Sequence, residues 1–256
     1  GVRPQVQIER AITKPFLQGK QIRRYKPLIS TDYLICPYLI KGDTCNLMRE
    51  DELSNNYPLA YGYLKSHKSA LKAREKGKFK GSNWFAFGYP KSMTLFQHNK
   101  IVVPDYNNVP SFTLDNQGCF YKTGYGIVPL ASTKESSLYI LGLLNTKLLF
   151  YYLLNIGTSL RGGYVRFWTQ FIERLPIRKI DFNKPDDKNM HDKIAKLVDR
   201  MLNLHKKLVT AKIPDEKTRI QRQIDATDKQ IDKLVYDLYG LTEEEIKIVE
   251  ESSKNK

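Results

Sequence analysis

The clearest periodicity in the chain lies toward its C-terminal end. Ile194, Leu197, Met201, Leu204 and Leu208 recur at spacings of 3, 4, 3 and 4. After a break at Ile213-Pro214-Asp215, a second set, Ile220, Ile224, Thr227, Ile231, Leu234 and Leu238, recurs at 4, 3, 4, 3 and 4. Heptad seams of this kind face a partner helix along one stripe, and the Pro turn between them predicts an antiparallel helical hairpin. Gly240 ends the second helix, and Thr242 with Glu245 has the capping-box spacing for a short third one.

Before residue 180 the pattern is mixed. The apolar run 33–40 predicts a strand, followed by a turn at Lys41-Gly42-Asp43. Over 58–74, Tyr61, Leu64 and Leu71 fall on one helical stripe, and Lys65, Lys68 and Lys72 on the opposite one. A basic, flexible loop is expected next, through Arg74, Lys76, Lys78 and Lys80. Short apolar runs at 84–87, 100–103, 111–114 and 120–121, separated by Asn, Asp, Gly and Pro, suit an antiparallel sheet. Ser132 with Glu135 predicts a capped helix over 136–154, apolar on most sides and therefore central. These elements predict an α+β fold: a mixed, mostly antiparallel sheet with packed helices over 1–180, followed by an α-helical hairpin with a short C-terminal helix over 186–256.

Charge divides along the same line. Residues 1–180 hold 26 Lys and Arg against 11 Asp and Glu, while 181–256 hold 16 of each, so the whole net charge of +15 lies in the mixed region. A cationic surface of that size suits a polyanion such as duplex DNA, with affinity that falls as salt rises. Polar residues at 145, 146, 147 and 155 break the longest apolar stretch, so no membrane span and no membrane partner is expected. Three cysteines without paired spacing favour reduced thiols and a cytoplasmic location, and the four scattered histidines offer no metal-ligand spacing. The opening Gly1-Val2-Arg3-Pro4 has neither an initiator Met nor a signal pattern, so a piece of a longer protein is expected.

Catalytic motifs are missing. An amino-group methyltransferase needs an Asn/Asp/Ser-Pro-Pro-aromatic loop and a Gly-rich turn for the methyl donor; Ile35-Cys36-Pro37-Tyr38 is only a distant echo, sitting in an apolar strand. A metal nuclease needs a Pro-Asp with a distant Glu-x-Lys to hold the ion and polarise water. Pro104-Asp105 has no such partner, and Pro214-Asp215-Glu216-Lys217 falls in the hairpin turn. The residues therefore point to recognition, with no catalytic and no metal-binding residue assigned.

Binding chemistry is better represented. Cations interleaved with Phe16 and Tyr25 at the start of the chain, and the lysine stripe of the amphipathic helix, make Lys14, Lys20, Arg23, Arg24, Lys65, Lys68 and Lys72 candidate phosphate holders. Gly162-Gly163 allows close backbone approach, flanked by Arg161, Tyr164 and Arg166. These three are placed at a DNA interface, with Arg161 the best candidate to pair with a guanine. Trp168 is read as core.

In order along nearly the whole chain, several stretches resemble the C-terminal specificity domain of TaqI-like adenine-N6 methyltransferases and of the fused type II restriction-modification enzymes built on them. They are the run from Phe16 through Gly19-Lys20-Gln21 to Tyr25, Tyr63-Leu64-Lys65, Lys100-Ile101-Val102-Val103-Pro104-Asp105 and Leu144-Asn145-Thr146-Lys147. Gly162-Gly163-Tyr164, Leu175-Pro176-Ile177 and the run from Leu234 to Thr242 continue the series. The resemblance implies a bacterial target-recognition domain that reads a short double-stranded DNA sequence. An N-terminal methyltransferase domain of the same parent chain would hold S-adenosylmethionine and flip and methylate the adenine. It implies no cofactor on this part. Family members often carry Asp or Glu where this chain has Gln21, which leaves that position's role open. Two alternatives stand beside it: half of a type I specificity subunit, whose helical spacers the hairpin resembles, and a fragment with its own nuclease or methyltransferase activity.

Overall fold

The computed structural model describes residues 5–252. Helix accounts for 49% of the described residues and strand for 16%, so helices supply most of the packing surface around several small, mostly antiparallel sheets, an α+β architecture. Backbone contacts sort the chain into two compact units. One comprises the described residues up to Leu17 with Ser30–Asn99 and Asn116–Phe120; the other comprises Gln18–Ile29, Lys100–Asp115 and the chain from Tyr121 onward.

In the first unit β1 (Thr13–Gln18) pairs antiparallel with β2 (Asp32–Ile35), Thr13 opposite Ile35 and Phe16 opposite Asp32. The single strand expected over 33–40 is broken at Cys36-Pro37, because Pro37 has no N–H for a ladder. A second hairpin, β3 (Tyr38–Lys41) with β4 (Thr44–Leu47), turns at Gly42 with φ +52°. Helices α1 (Glu50–Asn56), α2 (Pro58–Ser66) and α3 (Lys68–Gly77) follow, the one expected helix over 58–74 breaking at His67. Glu9 accepts from the N–H groups of Leu59 and Ala60 at 2.7 and 2.9 Å, satisfying donors that the first turn of α2 leaves unpaired. The helices cover a core of Ile12, Leu53, Ala60, Trp84 and Phe85. The basic run expected as a flexible loop begins inside α3, where Arg74 is tied down: its Nη2 donates to the carbonyls of Trp84 and Ala86 at 3.0 and 2.9 Å.

The second unit is built on β5 (Lys100–Pro104), buried along its whole length. After it come β6 (Tyr106–Asn107), β7 (Thr113–Asp115), β8 (Phe120–Lys122), where the chain passes from the first unit into the second, and β9 (Gly124–Ile127). β5 lies between β7 and β9, antiparallel to both, and its first residue forms a fully buried ion pair with its cross-strand partner, Lys100 to Asp115 at 2.6 Å.

The central helix expected over 136–154 is two helices, α4 (Ser137–Leu144) and α5 (Lys147–Ile156). Asn145 leaves the helix because its side chain serves the backbone of Phe112, accepting from the N–H at 3.0 Å and donating to the carbonyl at 2.9 Å. Thr146 then caps α5. The cap of α4 is Ser136, not the Ser132–Glu135 pair, since Glu135 accepts from the Ile180 N–H instead. Among the described residues no single helix is long and apolar enough to cross a membrane.

A short hairpin, β10 (Ser159–Leu160) with β11 (Tyr164–Arg166), adds β6 to form a three-stranded sheet, and α6 (Thr169–Ile172) follows. The heptad seams form α7 (Pro185–Thr210) and α8 (Pro214–Tyr239), and α9 (Glu243–Ser252) opens with the expected Thr242–Glu245 box. Thr227, polar in an apolar seam, returns its hydroxyl to the Gln223 carbonyl at 2.7 Å. A Cβ on Gly142 would lie 2.8 Å from Val198 and 2.9 Å from Ile194, so α4 touches α7 more closely than any larger residue allows. The hairpin thus shares one core with α4, α5 and the sheet residues Ile101, Phe112 and Val165.

Candidate nucleic-acid interface

Three segments of the second unit, with Thr123 from the link between β8 and β9, meet around a cavity of about 260 Å³, lined by Gly19, Lys20, Arg23, Pro104, Asp105, Tyr106, Asn107, Thr123 and Tyr164. The first segment is a tight 3-10 turn, Gly19–Gln21. Gln21 holds it from both sides: its side-chain oxygen accepts from Gln18 N–H at 2.7 Å, and its amide donates to the Ile29 carbonyl at 3.2 Å. Ile22 and Tyr25 point into the core, which turns Lys20 and Arg23 outward. Gly19 is required here, since a Cβ would fall inside van der Waals distance of the Thr123 carbonyl. Thr123 has φ +57°, a conformation that strains a β-branched residue.

The second segment leaves the buried end of β5. Asp105 is its hub. The carboxylate accepts from Arg166 Nη1, from Trp168 Nε1 at 3.0 Å and from the Tyr125 hydroxyl at 3.3 Å. Its backbone N–H donates to the Thr123 carbonyl at 2.9 Å, and its carbonyl accepts from Phe167 N–H at 2.8 Å. Tyr106 follows, half exposed at 52%.

The third segment is the β10–β11 hairpin, whose turn holds Gly162 and Gly163 at φ +81° and +74°. Tyr164 stands edge-on to Tyr106 with ring centroids 5.9 Å apart. The Arg166 guanidinium lies 5.8 Å from the Tyr106 ring and 5.1 Å from the Trp168 ring.

Of the residues singled out from sequence, Lys20, Arg23 and Tyr164 are therefore brought together. Lys20 and Arg23 are exposed and form no ion pair among the described residues, and the same holds for Arg161 at the hairpin turn. Arg166 belongs to the same wall but is neutralised by Asp105. Arg24 is a correction: its guanidinium is bound to both Asp228 oxygens at 2.7 and 2.8 Å and to the Asn145 carbonyl at 2.6 Å, so it holds the unit together and is not free for phosphate. Lys14, Lys65, Lys68 and Lys72 belong to the first unit. There Lys65 is exposed beside the Tyr61 ring, while Lys68 pairs with Glu50 at 2.9 Å and sits 4.5 Å from the Trp84 ring centroid. Trp168 packs its body on the core but spends its N–H on Asp105. Asp105, Tyr106, Asn107 and Thr123 were not foreseen as site residues. For Asp105, Tyr106 and Asn107 the sequence signal is a polar and aromatic run directly after an apolar strand, and Thr123 carries none.

Residues 14–177, which contain every residue of this cavity, match the family described as the TaqI-like C-terminal specificity domain. The chain belongs to that family. Over 266 aligned residues it is 27% identical to the type II restriction enzyme and methyltransferase RM.Eco57I of Escherichia coli, covering 97% of this chain and 26% of that protein. It is 28% identical over 130 residues to the type II methyltransferase M.BanIII of Aneurinibacillus aneurinilyticus, covering 50% of this chain and 22% of that protein. M.BstVI of Geobacillus stearothermophilus, another type II methyltransferase, is 23% identical over 255 residues, covering 97% and 38%. The chain thus spans well under half the length of these relatives. The α7 and α8 helices lie beyond the family match but within the span shared with RM.Eco57I.

The second unit also holds a partly buried charge cluster. Asp232 accepts from Lys147 N–H at 3.1 Å, yet burial, followed by the neighbouring charge of Asp228, pushes its carboxyl up to about 6. Lys147 gives Asp232 little relief, because its ammonium sits 2.6 Å from Glu250 and 3.6 Å from Asp232. His205, stacked on Tyr25 at 6.3 Å, is pushed down to about 4 by burial and by the cations Lys26 and Arg24. Among the described residues no group of three or more His, Cys, Asp or Glu side chains is placed to hold a metal ion.

Proposed function

We propose that this chain is the DNA-recognition module of a longer adenine-N6 methyltransferase or fused restriction-modification enzyme, binding a short duplex sequence without catalysing a reaction itself. The observation that carries this reading is the cavity rim. Two exposed cations with no acidic partner among the described residues, Lys20 and Arg23, line it with two exposed tyrosines, while Arg24, Lys100 and Lys147 are paired with carboxylates of the same unit. A rim of this kind can hold phosphates with its cations and meet bases with its rings. The similarity to RM.Eco57I, M.BanIII and M.BstVI, all methyltransferases much longer than this chain, supports placing the chemistry on another part of the parent. That methyltransferase part would then hold S-adenosylmethionine, and no residue of this chain is assigned to the methyl donor.

The test is a binding titration with a pool of random-sequence duplexes from low to moderate salt, followed by selection for the preferred sequence. Retained affinity and an enriched short motif support the reading, and each phosphate contact removed with Lys20 or Arg23 should flatten the logarithmic salt slope by ~0.9. Duplex affinity that is absent at moderate salt, or methyl transfer or cleavage by the isolated chain, would sink it.

A further inference from the structure

The cavity has a property that groove reading does not explain. Base edges in a stacked duplex face outward into a groove and are met by elements that protrude into it. Here Tyr106, Tyr164, Asp105 and Gly19 instead line a concave space of about 260 Å³ together with the exposed Lys20 and Arg23. A stacked base cannot enter such a space, whereas a base that has left the stack can, with its own phosphate at the rim.

Several details indicate that this space is built. Gly19 and Thr123 are pressed together so closely that no side chain fits at Gly19, and Thr123 keeps a strained backbone to make that contact. Asp105 is fixed by three side-chain donors and two backbone hydrogen bonds, so the wall does not relax into the opening. Tyr106 and Tyr164 nevertheless leave 52% and 36% of their surfaces open, with their rings edge-on to each other. Apolar ring faces left open beside unpaired cations match the chemistry of a nucleotide, which combines an aromatic plane with an anion.

We infer that this cavity receives one unstacked nucleotide of the bound DNA strand, its base against Tyr106 and Tyr164 and its phosphate on Lys20 and Arg23. The inference rests on the DNA-recognition reading above. Taking a base out of a duplex costs a few kcal/mol, and less when the nucleotide is already unpaired. A duplex that supplies an unpaired nucleotide in advance should therefore bind more tightly than a matched one.

The probe is a set of short duplexes of one sequence, either fully matched or carrying a central single-nucleotide bulge of A, C, G or T. At least one bulged duplex should bind the full chain about tenfold more tightly than the matched duplex, and the Tyr106→Ala/Tyr164→Ala double variant should lose that preference, as base–aromatic stacking of this strength implies. Both tyrosines are exposed, so their removal leaves the core intact, and Lys20→Ala offers a second variant that should weaken matched and bulged duplexes together. Four bulged duplexes within about twofold of the matched one overturn the inference while leaving the DNA reading in place. A bulge preference that survives the double variant also overturns it, because flexible DNA alone would then account for the effect. No affinity for any duplex removes the inference and the reading together.

Discussion

Asp105 and Arg166 are bound to each other at the wall of the cavity, and that pairing decides what Arg166 can do. A guanidinium already neutralised by a carboxylate adds little to a phosphate-holding surface, so Arg166 shapes the wall through Asp105. In a double-mutant cycle, Arg166→Ala and Asp105→Asn should show a coupling of about 1–3 kcal/mol in duplex binding, because Arg166→Ala alone leaves a bare carboxylate facing DNA. Additive effects would instead make Arg166 an independent phosphate contact.

Asn145 is the most exposed point of failure in the second unit's packing. Replacing it with Ala leaves the N–H of Phe112 without a partner in a buried environment and its carbonyl with the Tyr25 N–H alone, which should cost about 1–3 kcal/mol. Urea unfolding of the purified chain measures this directly. A loss near zero would mean that water reaches Phe112 and that the break between α4 and α5 has another cause.

Gln21 acquires a definite role. A Glu at this position keeps the bond from Gln18 N–H but has no donor for the Ile29 carbonyl. Gln21→Glu should therefore lower stability by about 1 kcal/mol and loosen the turn that presents Lys20 and Arg23. Urea midpoints at neutral pH provide the check, and an unchanged midpoint would show that the Ile29 bond contributes nothing.

The charge cluster predicts two opposed responses to pH. Asp232 has a folded value of about 6 against an ordinary 3.8, so its ionisation works against folding; this penalty is absent at low pH and develops as pH rises from about 4 through 6. His205 has a folded value of about 4 against an ordinary 6.5, so its contribution is complete above 6.5 and is lost as pH falls toward 4. Over the same interval the two largely offset each other. Asp232→Asn, which retains the acceptor for Lys147 N–H, should gain about 1–3 kcal/mol at pH 8 and then lose stability on acidification as His205 acts alone. His205→Gln should do the reverse, gaining stability as pH falls from 6 to 4. Chemical denaturation of the three proteins at pH 4.5, 6 and 8 separates these outcomes, and parallel pH profiles would refute the assignment.

The hairpin was legible because its signal is local and repeated: each seam residue reinforces the same period, and tertiary packing only strengthens it. The breaks at Asn145 and Pro37 were harder to see for different reasons. Pro37 acts through its missing donor, which can be read locally, but in an apolar run it was absorbed into one strand. Asn145 acts through the backbone of Phe112, 33 residues away, and no local pattern records that. The same distance effect governs the cavity. Arg23 and Arg24 are neighbours of like charge, yet the 3-10 turn sends one to the surface and the other to Asp228, 204 residues on. Asp105 read as an orphaned nuclease fragment because its partners, Tyr125, Arg166 and Trp168, lie 20, 61 and 63 residues further along.

The contact between Gly142 and α7 has a practical consequence for building chimeras. An exchange of recognition specificities among related enzymes would naturally be cut in the linker before residue 186, where the charge pattern changes. That cut would remove Ile194 and Val198 from against Gly142 and strip one wall from the core that also carries Phe112 and Val165. The transplantable piece includes the hairpin, and a graft ending at residue 180 should yield insoluble protein.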